Sequence, residues 1–533
     1  MRDARLGSAA TLDGDASFRG AIAARGLGRS GSSSLKALLA AALLIVAGCA
    51  SLPRHVEKPR SEAFQKPETT TLGQIVDKDE KGKNLSGFRL LSSGDEALAS
   101  LIALADHAER TLDIQYYIIH EDESTRAFLH HVRLAADRGV RVRVLVDDLN
   151  TAGEDRRFMH LSSHANVEVR VFNPFTAGRF STWTRFIASA TDIRRINHRM
   201  HNKLFVADDA LAITGGRNIG DQYFTLDPRS NFVDLDVVAA GAIVPQLSAS
   251  FDQFWNSKYA IPIATVASSV EAEANAAPPI EAQTSVSDRW LEQELDAQKL
   301  QLMWAPATAL ADRPAKIASE TSSEEELTIA NDITALMGTA KQDLSIISPY
   351  FIPGKEGVAL IAKLVASGVK VRILTNSLAS TDSPLVDIGY ARYRVPLLKL
   401  GVDLREMRPK LGQKHVRFHP FRSSNASLHA KALVIDQKIV FIGSLNMDER
   451  SAKINSELGL VISSVEIARE VTSLLDDIST DGSYKLQLDQ HGRVEWVSGE
   501  GATQKIWHTD PATSRTERAW LKILSPFAPD ELL

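Results

Sequence analysis

Two short strings in this sequence combine histidine and lysine at a spacing that can do chemistry. The first is His201-x-Lys203-x4-Asp208, then six residues, then Gly215-Gly216-Arg217-Asn218. The second is His429-x-Lys431-x4-Asp436, six residues, then Gly443-Ser444-Leu445-Asn446. One such string can arise by accident; two at the same internal spacing make a strong signal. Positions i and i+2 of an extended segment face the same side, so each histidine projects together with its lysine. Asp208 and Asp436, at i+7, fall on the other side or past the strand end, and are expected to be framework. Asn218 and Asn446 follow a second strand and a glycine turn, where a side chain can return to the same place. If the two strings face each other, two ammonium groups and two amides can hold phosphate oxygens and stabilise charge on a phosphorane-like transition state. One imidazole can attack phosphorus and form a covalent phosphohistidine. The other can protonate the leaving alcohol and then deprotonate the incoming one. This chemistry requires no metal or other cofactor, and no cluster with metal-ligand spacing accompanies the strings. Each imidazole needs a partner for its second ring nitrogen. Aligning Asn455–Val461 on Phe232–Val238 pairs Glu457 with Asp234, and these two acids are expected to orient the histidines.

The elements that must position these groups come as an internal repeat. Gly139-Val140-Arg141-Val142-Arg143-Val144-Leu145 resembles Gly368-Val369-Lys370-Val371-Arg372-Ile373-Leu374 at an offset of 229, and the two His-x-Lys strings lie at an offset of 228. In the first copy the patterning predicts a helix over 95–110, a strand over 112–119, a helix over 125–138 and a strand over 140–146. In the second, strands are predicted over 344–347 and 369–375, with a helix over 386–400 that contains Pro396. Alternating strands and helices imply sheets covered by helices. Two α/β units related by a pseudo-two-fold axis would bring both strings into one place.

Composition narrows the class. Hydrophobic residues are 44% and charged residues 24%, which excludes a polytopic membrane protein, a collagen and a mainly disordered chain. Acidic residues outnumber basic ones, 66 against 61, so there is no global excess of positive charge to suit a nucleic-acid binder. The single cysteine, Cys49, permits no intrachain disulfide. It ends a run of a different kind. Arginines scattered from Arg2 to Arg29 precede an apolar stretch, Ala37–Ala47, too short to span a bilayer as a helix. Val46-Ala47-Gly48-Cys49 resembles the bacterial lipoprotein box, in which cleavage precedes a lipid-modified cysteine. That implies a mature chain starting at Cys49, tethered to a membrane outside the cytoplasm by acyl chains. Ala50, in place of the aspartate associated with inner-membrane retention, favours the outer membrane.

The paired strings resemble those of the phospholipase D superfamily of phosphodiesterases and phosphatidyltransferases, over about residues 86–480. Asn197–Lys203, Gly215–Phe224, Leu112–Ile119, Phe172–Phe175 and Phe251–Asn256 are similar more narrowly to bacterial cardiolipin synthases of the C type. The resemblance implies an α/β fold of two phospholipase D-like repeats, each a mixed sheet flanked by helices, in one bilobed unit. It implies phosphatidyl transfer between phospholipids, with His201 as nucleophile and His429 as acid and base. Phosphatidylglycerol, and after it phosphatidylethanolamine, are the expected substrates. The first copy departs from the usual motif in having Gly216 where the second has Ser444.

These readings divide the chain into a signal segment (1–49), a polar tether (50–85), a first repeat (86–262), a linker or insertion (263–300), a second repeat (301–480) and a C-terminal tail (481–533) whose end is either a membrane-surface segment or a helix docked on the core. Basic and aromatic residues before each string suggest membrane contact. They are Arg179, Arg185, Arg194, Arg195 and Arg199 with Phe180, Trp183, Phe186 and Ile187, then Lys410, Lys414, Arg417 and Arg422 with Phe418 and Phe421. Three functions stay open: a phosphatidyltransferase, a hydrolase or nuclease of the same superfamily, and a non-catalytic envelope lipoprotein.

Overall fold

Uninterrupted aliphatic and β-branched runs, rather than alternating ones, mark strands covered on both faces. Leu204–Ala207, Leu211–Gly215 and Ala432–Ile435 are such runs, and every residue in them is buried. The computed structural model describes residues 56–80, 84–175, 178–179, 181–188, 193–267, 289–318, 328–410, 425–499 and 501–525. Cys49 and its preceding segment, Phe180, Lys414, Arg417, Phe418, Phe421 and Arg422 lie outside them.

The described residues build two large mixed sheets. The first runs, neighbour to neighbour, Met303–Ala305, Ser86–Leu91, Asp236–Gly241, Leu211–Gly215, Leu204–Ala207, Thr111–Tyr116, Arg141–Asp147, Val167–Phe172, Ala260–Pro262. The second runs Ala307–Ala311, Leu458–Ser463, Ile439–Gly443, Ala432–Ile435, Asp343–Ile347, Lys370–Asn376, Asp403–Met407, then Ser483–Leu488, Val494–Ser498 and Lys505–Trp507. The six central positions correspond one to one, so the duplication seen in the sequence is a duplication of topology. In each sheet three parallel strands adjoin the antiparallel hairpin that follows the His-x-Lys string. The fold is therefore α/β, in two halves of the same topology.

Helices cover the sheets, and their starts are written locally. Ser93, Asp122 and Ser464 accept hydrogen bonds from backbone N–H groups in the first turns of Gly94–His107, Glu123–Asp137 and Val465–Asp481. Gly139 and Gly368, with φ of 98° and 87°, make the left-handed turn from helix to strand in the two halves. Pro396 lies inside the helix Pro384–Leu400. One hydrophobic core is shared: Leu204, Val206 and Ala212 of the first half join Ala432, Val434 and Ile442 of the second.

The segment expected to be a polar tether is, over residues 56–80, part of the first half. Leu72, Ile75 and Val76 of the helix Thr71–Asp79 are buried. Upstream, backbone carbonyls act as acceptors for cations of the first sheet, of which Arg143 and Arg170 are buried. Arg170 Nη2 donates to Pro59 O at 2.7 Å, Arg143 Nη1 to Ser61 O at 2.9 Å and Arg141 Nη2 to Glu62 O at 2.7 Å. Lys58 Nζ donates in turn to Ala260 O at 2.6 Å. A polar composition concealed this role because the contacts are made by main chain.

Other boundary segments are also folded. The helix Trp290–Asp296 buries Leu291 and Leu295 in the first core, and Met303–Ala305 closes the edge of the first sheet. The tail adds three strands to the second sheet. It then forms the helix Arg515–Leu524, which packs Leu521 on Leu378 and Ile388 and leaves Trp520 and Ile523 exposed. Among the described residues no helix is long and apolar enough to cross a membrane.

Candidate active site

Each histidine sits in the short connection just before its hairpin, and the opposite half holds it at both ends. His201 N–H donates to Ser456 O at 2.9 Å, and Nδ1 of the ring lies 2.9 Å from Glu457 Oε2. His429 N–H donates to Val233 O at 2.8 Å, and Nδ1 lies 2.5 Å from Asp234 Oδ2. The rule is the same in both directions: the carbonyl before the acid takes the backbone, and the acid takes the ring. A two-stranded parallel sheet, Ser230–Val233 with Asn425–Leu428, and a bridge from Met200 to Ser456 hold the halves in this register.

Fixing Nδ1–H on a carboxylate leaves the Nε2 lone pair of each ring free for chemistry. The imidazoles are almost covered, at 7% and 6% exposure. Burial lowers the His201 pKa to about 4, outweighing the Glu457 carboxylate, and Lys203 and Lys431 push the same way. Burial and Lys431 lower His429 as well, against the pull of Asp234. Burial raises both acids, but the cations they face outweigh it, so Asp234 and Glu457 are held below their ordinary values.

The lysines share this environment. Lys203 Nζ donates to His201 O at 2.5 Å and sits over the Tyr117 ring at 5.5 Å from its centroid. Lys431 Nζ donates to His429 O and lies 2.8 Å from His429 Nδ1. Burial, then the neighbouring Lys431, lowers Lys203 to about 7; burial lowers Lys431 to about 8 against Asp234 and Glu457. Two buried ammonium groups that repel each other form a site that an anion would stabilise.

The remaining expected residues fall into two groups. Asn218 is in the site: Oδ1 accepts from Ile118 N–H at 3.2 Å and Nδ2 donates to Tyr223 Oη at 2.9 Å. Asn446 is buried in the second half, and its Oδ1 meets no hydrogen-bond partner among the described residues. Asp208 and Asp436 are remote from the reacting groups. Asp208 accepts from the N–H groups of Glu109, Arg110 and Thr111 at 2.9, 2.7 and 2.8 Å. Asp436 does the same for Lys341, Gln342 and Asp343. Both sit in left-handed turns, φ 54° and 51°. They fasten each hairpin to the start of the neighbouring strand.

Sequence reasoning missed two tyrosines. Tyr117 meets the His201 ring edge-on at 5.0 Å and Tyr223 meets His429 edge-on at 5.2 Å. Both come from the first half. They lie in segments already singled out, but nothing in their spacing assigns them to a ring.

Gly216 has a steric reason. A Cβ there would come within 2.1 Å of Asp234 Oδ1. In the second half Ser444 Oγ donates to Glu457 Oε2 and accepts from Leu458 N–H at 3.0 Å. The shorter acid pairs with glycine and the longer one with serine.

Four of the basic residues before the first string, Arg179, Arg185, Arg195 and Arg199, are tied to the protein's own groups. Arg185 and Arg199 are fully buried. Arg179 makes paired bonds to Asp148 and Asp155, Arg195 donates to Asn173 Oδ1 at 2.5 Å, and Arg199 donates to Asn173 O at 3.1 Å. They brace the connection into His201, where Met200 N–H donates to Asp147 Oδ2 at 2.9 Å. Charge counting cannot see buried carboxylate partners. Trp183, 81% exposed, and Phe186 do face solvent. Among the described residues no group of three or more His, Cys, Asp or Glu is placed to hold a metal ion.

Comparisons with known proteins agree with this geometry. The family model described as cardiolipin synthase, PLD-like domain, matches residues 101–255 and 333–478, one match for each half. Cardiolipin synthase C of Escherichia coli is 38% identical over 454 residues, covering 82% of this chain and 94% of that protein. An uncharacterized protein of Helicobacter pylori is 32% identical over 495 residues, covering 90% and 96%. The crystal structure of phosphatidylserine synthase from Haemophilus influenzae shares the fold, with a TM-score of 0.54 at 14% identity, over 88% of this chain and 99% of that one. A fold repeated twice, a crossed pair of histidines and a family match on each half lead to one conclusion: the chain belongs to the cardiolipin synthase, phospholipase D-like family, and is an enzyme of the phospholipase D superfamily.

Proposed function

We propose that the chain is a phosphatidyltransferase that joins phospholipids into cardiolipin through a phosphohistidine intermediate, without a metal. The observation that carries this is the crossed clamp on the two rings, which holds each Nδ1 on a carboxylate of the opposite half, with a buried lysine two residues after each histidine. His201 Nε2 attacks phosphorus, forming a P–N bond as the P–O bond to the headgroup breaks, and the headgroup oxygen leaves with the Nε2 proton of a His429 imidazolium. His429 then takes the proton of an incoming alcohol, whose oxygen forms the new P–O bond as the P–N bond breaks. Lys203, Lys431 and the Asn218 and Asn446 amides hold the phosphate oxygens. A difference between the rings supports these roles. The Glu457 oxygen that meets His201 also accepts from Ser444, whereas Asp234 meets His429 through Oδ2 at 2.5 Å and takes Leu235 N–H on its other oxygen. The tighter partner stabilises an imidazolium better, which suits the acid and base.

Phosphatidylglycerol is the proposed donor and acceptor, with phosphatidylethanolamine as a second substrate. The site is proposed to work on an envelope membrane facing the periplasm, most simply the outer one, with Cys49 as the lipid anchor. Water in place of the second alcohol would turn the same intermediate into that of a hydrolase. The test is turnover of labelled phosphatidylglycerol, with and without phosphatidylethanolamine, in chelator, with His429→Ala as control. Cardiolipin formed in chelator and absent in the control is the expected result. Phosphatidic acid alone would replace transfer by hydrolysis, and turnover lost with chelator would overturn the metal-free mechanism.

A further inference from the structure

One carboxylate beside the reacting groups has no part in this mechanism. Asp382 is exposed, in the connection between the strand Lys370–Asn376 and the helix Pro384–Leu400. That connection is rigid where it starts. Asn376 Oδ1 accepts from Leu428 N–H at 2.8 Å and Nδ2 donates to Leu428 O at 2.9 Å, one residue before His429. Ser380 Oγ lies 3.0 Å from Asn376 Oδ1 and 2.9 Å from Met407 O, two acceptors that share its one proton. Asp382 follows two residues later, and its charge favours the protonated forms of both His429 and Lys431.

Its partner is held from the other side. Tyr350 Oη donates to Asp382 Oδ2 at 2.8 Å. Ser348 Oγ donates to Tyr350 O at 2.7 Å and accepts from Met447 N–H at 3.1 Å, next to Asn446. The two side chains thus meet between the chain leading into His429 and the chain leading out of Asn446. Because Tyr350 gives its only proton to Asp382, the pair presents acceptors alone. It repels a phosphate and attracts an O–H or N–H donor.

The pair exists only in the second half. Asp147 holds Met200 N–H as Asn376 holds Leu428 N–H, an offset of 229 in the first pair and 228 in the second. Counting the same six residues onward, Gly153 stands where the second half has Asp382. Ile119 and Phe351 make equivalent bridges, to Ile219 and Met447, so Ile118 stands where the second half has Tyr350. The acceptor pair therefore marks the His429 side, where alcohol oxygens gain and lose protons.

We propose that Asp382 and Tyr350 form the subsite for the alcohol headgroup of the phospholipid, binding its free hydroxyl or ammonium while the lysines hold its phosphate. This rests on the phosphatidyl-transfer reading. The headgroup's donor is directed to the His429 side, which leaves phosphorus facing His201. A diol and an amino alcohol share the required chemistry; a methyl headgroup lacks it.

The test measures headgroup release by the purified chain from vesicles of phosphatidylglycerol, phosphatidylethanolamine or phosphatidylmethanol, comparing the unaltered enzyme with Asp382→Asn and Tyr350→Phe. The expected loss in kcat/KM is about 10- to 100-fold on the first two lipids, the scale of a lost charge-assisted hydrogen bond, with phosphatidylmethanol changed by less than about threefold. A greater loss with phosphatidylethanolamine than with phosphatidylglycerol in Asp382→Asn would identify the ammonium as the preferred donor. Equal losses on all three lipids, or none, would overturn the subsite and leave the transfer reading intact. An unaltered enzyme inactive on all three would overturn both.

Discussion

The imidazole of His201 is held by a carboxylate 256 residues away: Nδ1 lies 2.9 Å from Glu457 Oε2, in the other half of the molecule. His429 and Asp234 repeat the relationship at a separation of 195 residues. Neither half can orient its own histidine. The active arrangement exists only when the halves are docked, which gives the shared core a catalytic as well as a structural consequence.

Replacing one of these acids should therefore act at the ring of the opposite half. Glu457→Gln and Asp234→Asn remove the charge but keep the size. Each is expected to lower kcat by about 10²- to 10⁴-fold, the range for losing the orienting partner of a catalytic histidine, with the circular dichroism spectrum unchanged. Glu457→Gln should slow phosphoenzyme formation, because it acts on His201. If phosphoenzyme forms normally in Glu457→Gln but not in Asp234→Asn, the two histidines exchange roles.

The crossing could not be read from the sequence, although its participants could. His201, Lys203, His429 and Lys431 were legible because the pattern occurs twice with the same interval. Asp234 and Glu457 were legible because an alignment of the repeats pairs them. An alignment says which residues are equivalent but not which half they serve; Ser230–Val233 pairing with Asn425–Leu428 decides that. The strands and helices of each half were legible from apolar patterning. The arginines before His201 were misjudged because their partners, Asp147, Asp148 and Asp155, stand tens of residues upstream. Residues 56–80 were misjudged because main-chain carbonyls bear no sequence signature.

The exception to strict repetition at Gly216 should be intolerant of repair. Gly216→Ser would restore the commoner motif but put its Cβ against Asp234, which has no room to withdraw while it holds His429. Activity should fall by about 100-fold, as for a misplaced catalytic group, measured as lipid turnover. Ser444→Ala removes a hydrogen bond to Glu457 without adding a clash, so about 1 to 2 kcal/mol of stability should go, with a smaller loss of activity. A fully active Gly216→Ser would show that Asp234 does not need its present position.

Anion binding should be linked to proton uptake by the lysines. Lys203 and Lys431 titrate near 7 and near 8 in the free site because they are buried, and in the first case because of the second. A bound oxyanion favours their charged forms and raises both values. Sulfate does not titrate in this range, so its affinity should fall as pH rises through about 7 to 9. Calorimetry at pH 8 in buffers of different ionisation enthalpy should show protons taken up on binding. The sign for folding is opposite: unfolded lysines keep their protons to about 10.4, so between pH 7 and 10 the unfolded chain binds more protons and these groups make the free enzyme more stable as pH rises. No proton uptake on sulfate binding would mean that the lysines are already charged.

The framework aspartates should separate stability from chemistry. Asp436→Asn keeps the side chain's size and one acceptor oxygen but loses the charge that gathers three N–H groups at Lys341–Asp343. A loss of about 1 to 3 kcal/mol in unfolding free energy is expected, with kcat of the folded fraction within about threefold of the unaltered enzyme. A kcat loss as large as that of Asp234→Asn would place Asp436 among the catalytic groups.

The N-terminal region should divide at the same kind of boundary, between anchoring and folding. Cys49→Ser removes the proposed acylation site and nothing in the described fold, so it should move the protein from the membrane to the soluble fraction with its denaturation midpoint unchanged. A mature chain shortened to begin at Lys66 should behave in the opposite way. It loses Pro59 O, Ser61 O and Glu62 O as acceptors for Arg170, Arg143 and Arg141, along with the Lys58 contact to Ala260. A buried cation deprived of an acceptor costs about 1 to 3 kcal/mol, and Arg143 and Arg170 are the most enclosed of the three. The urea midpoint should drop clearly and the yield of folded protein with it. If the midpoint is unchanged in the shortened chain, residues 56–65 only rest on the first half and behave as a tether after all. If Cys49→Ser leaves the protein on the membrane, the anchor is elsewhere, and the exposed Trp183, Trp520 and Ile523 become the first surfaces to alter.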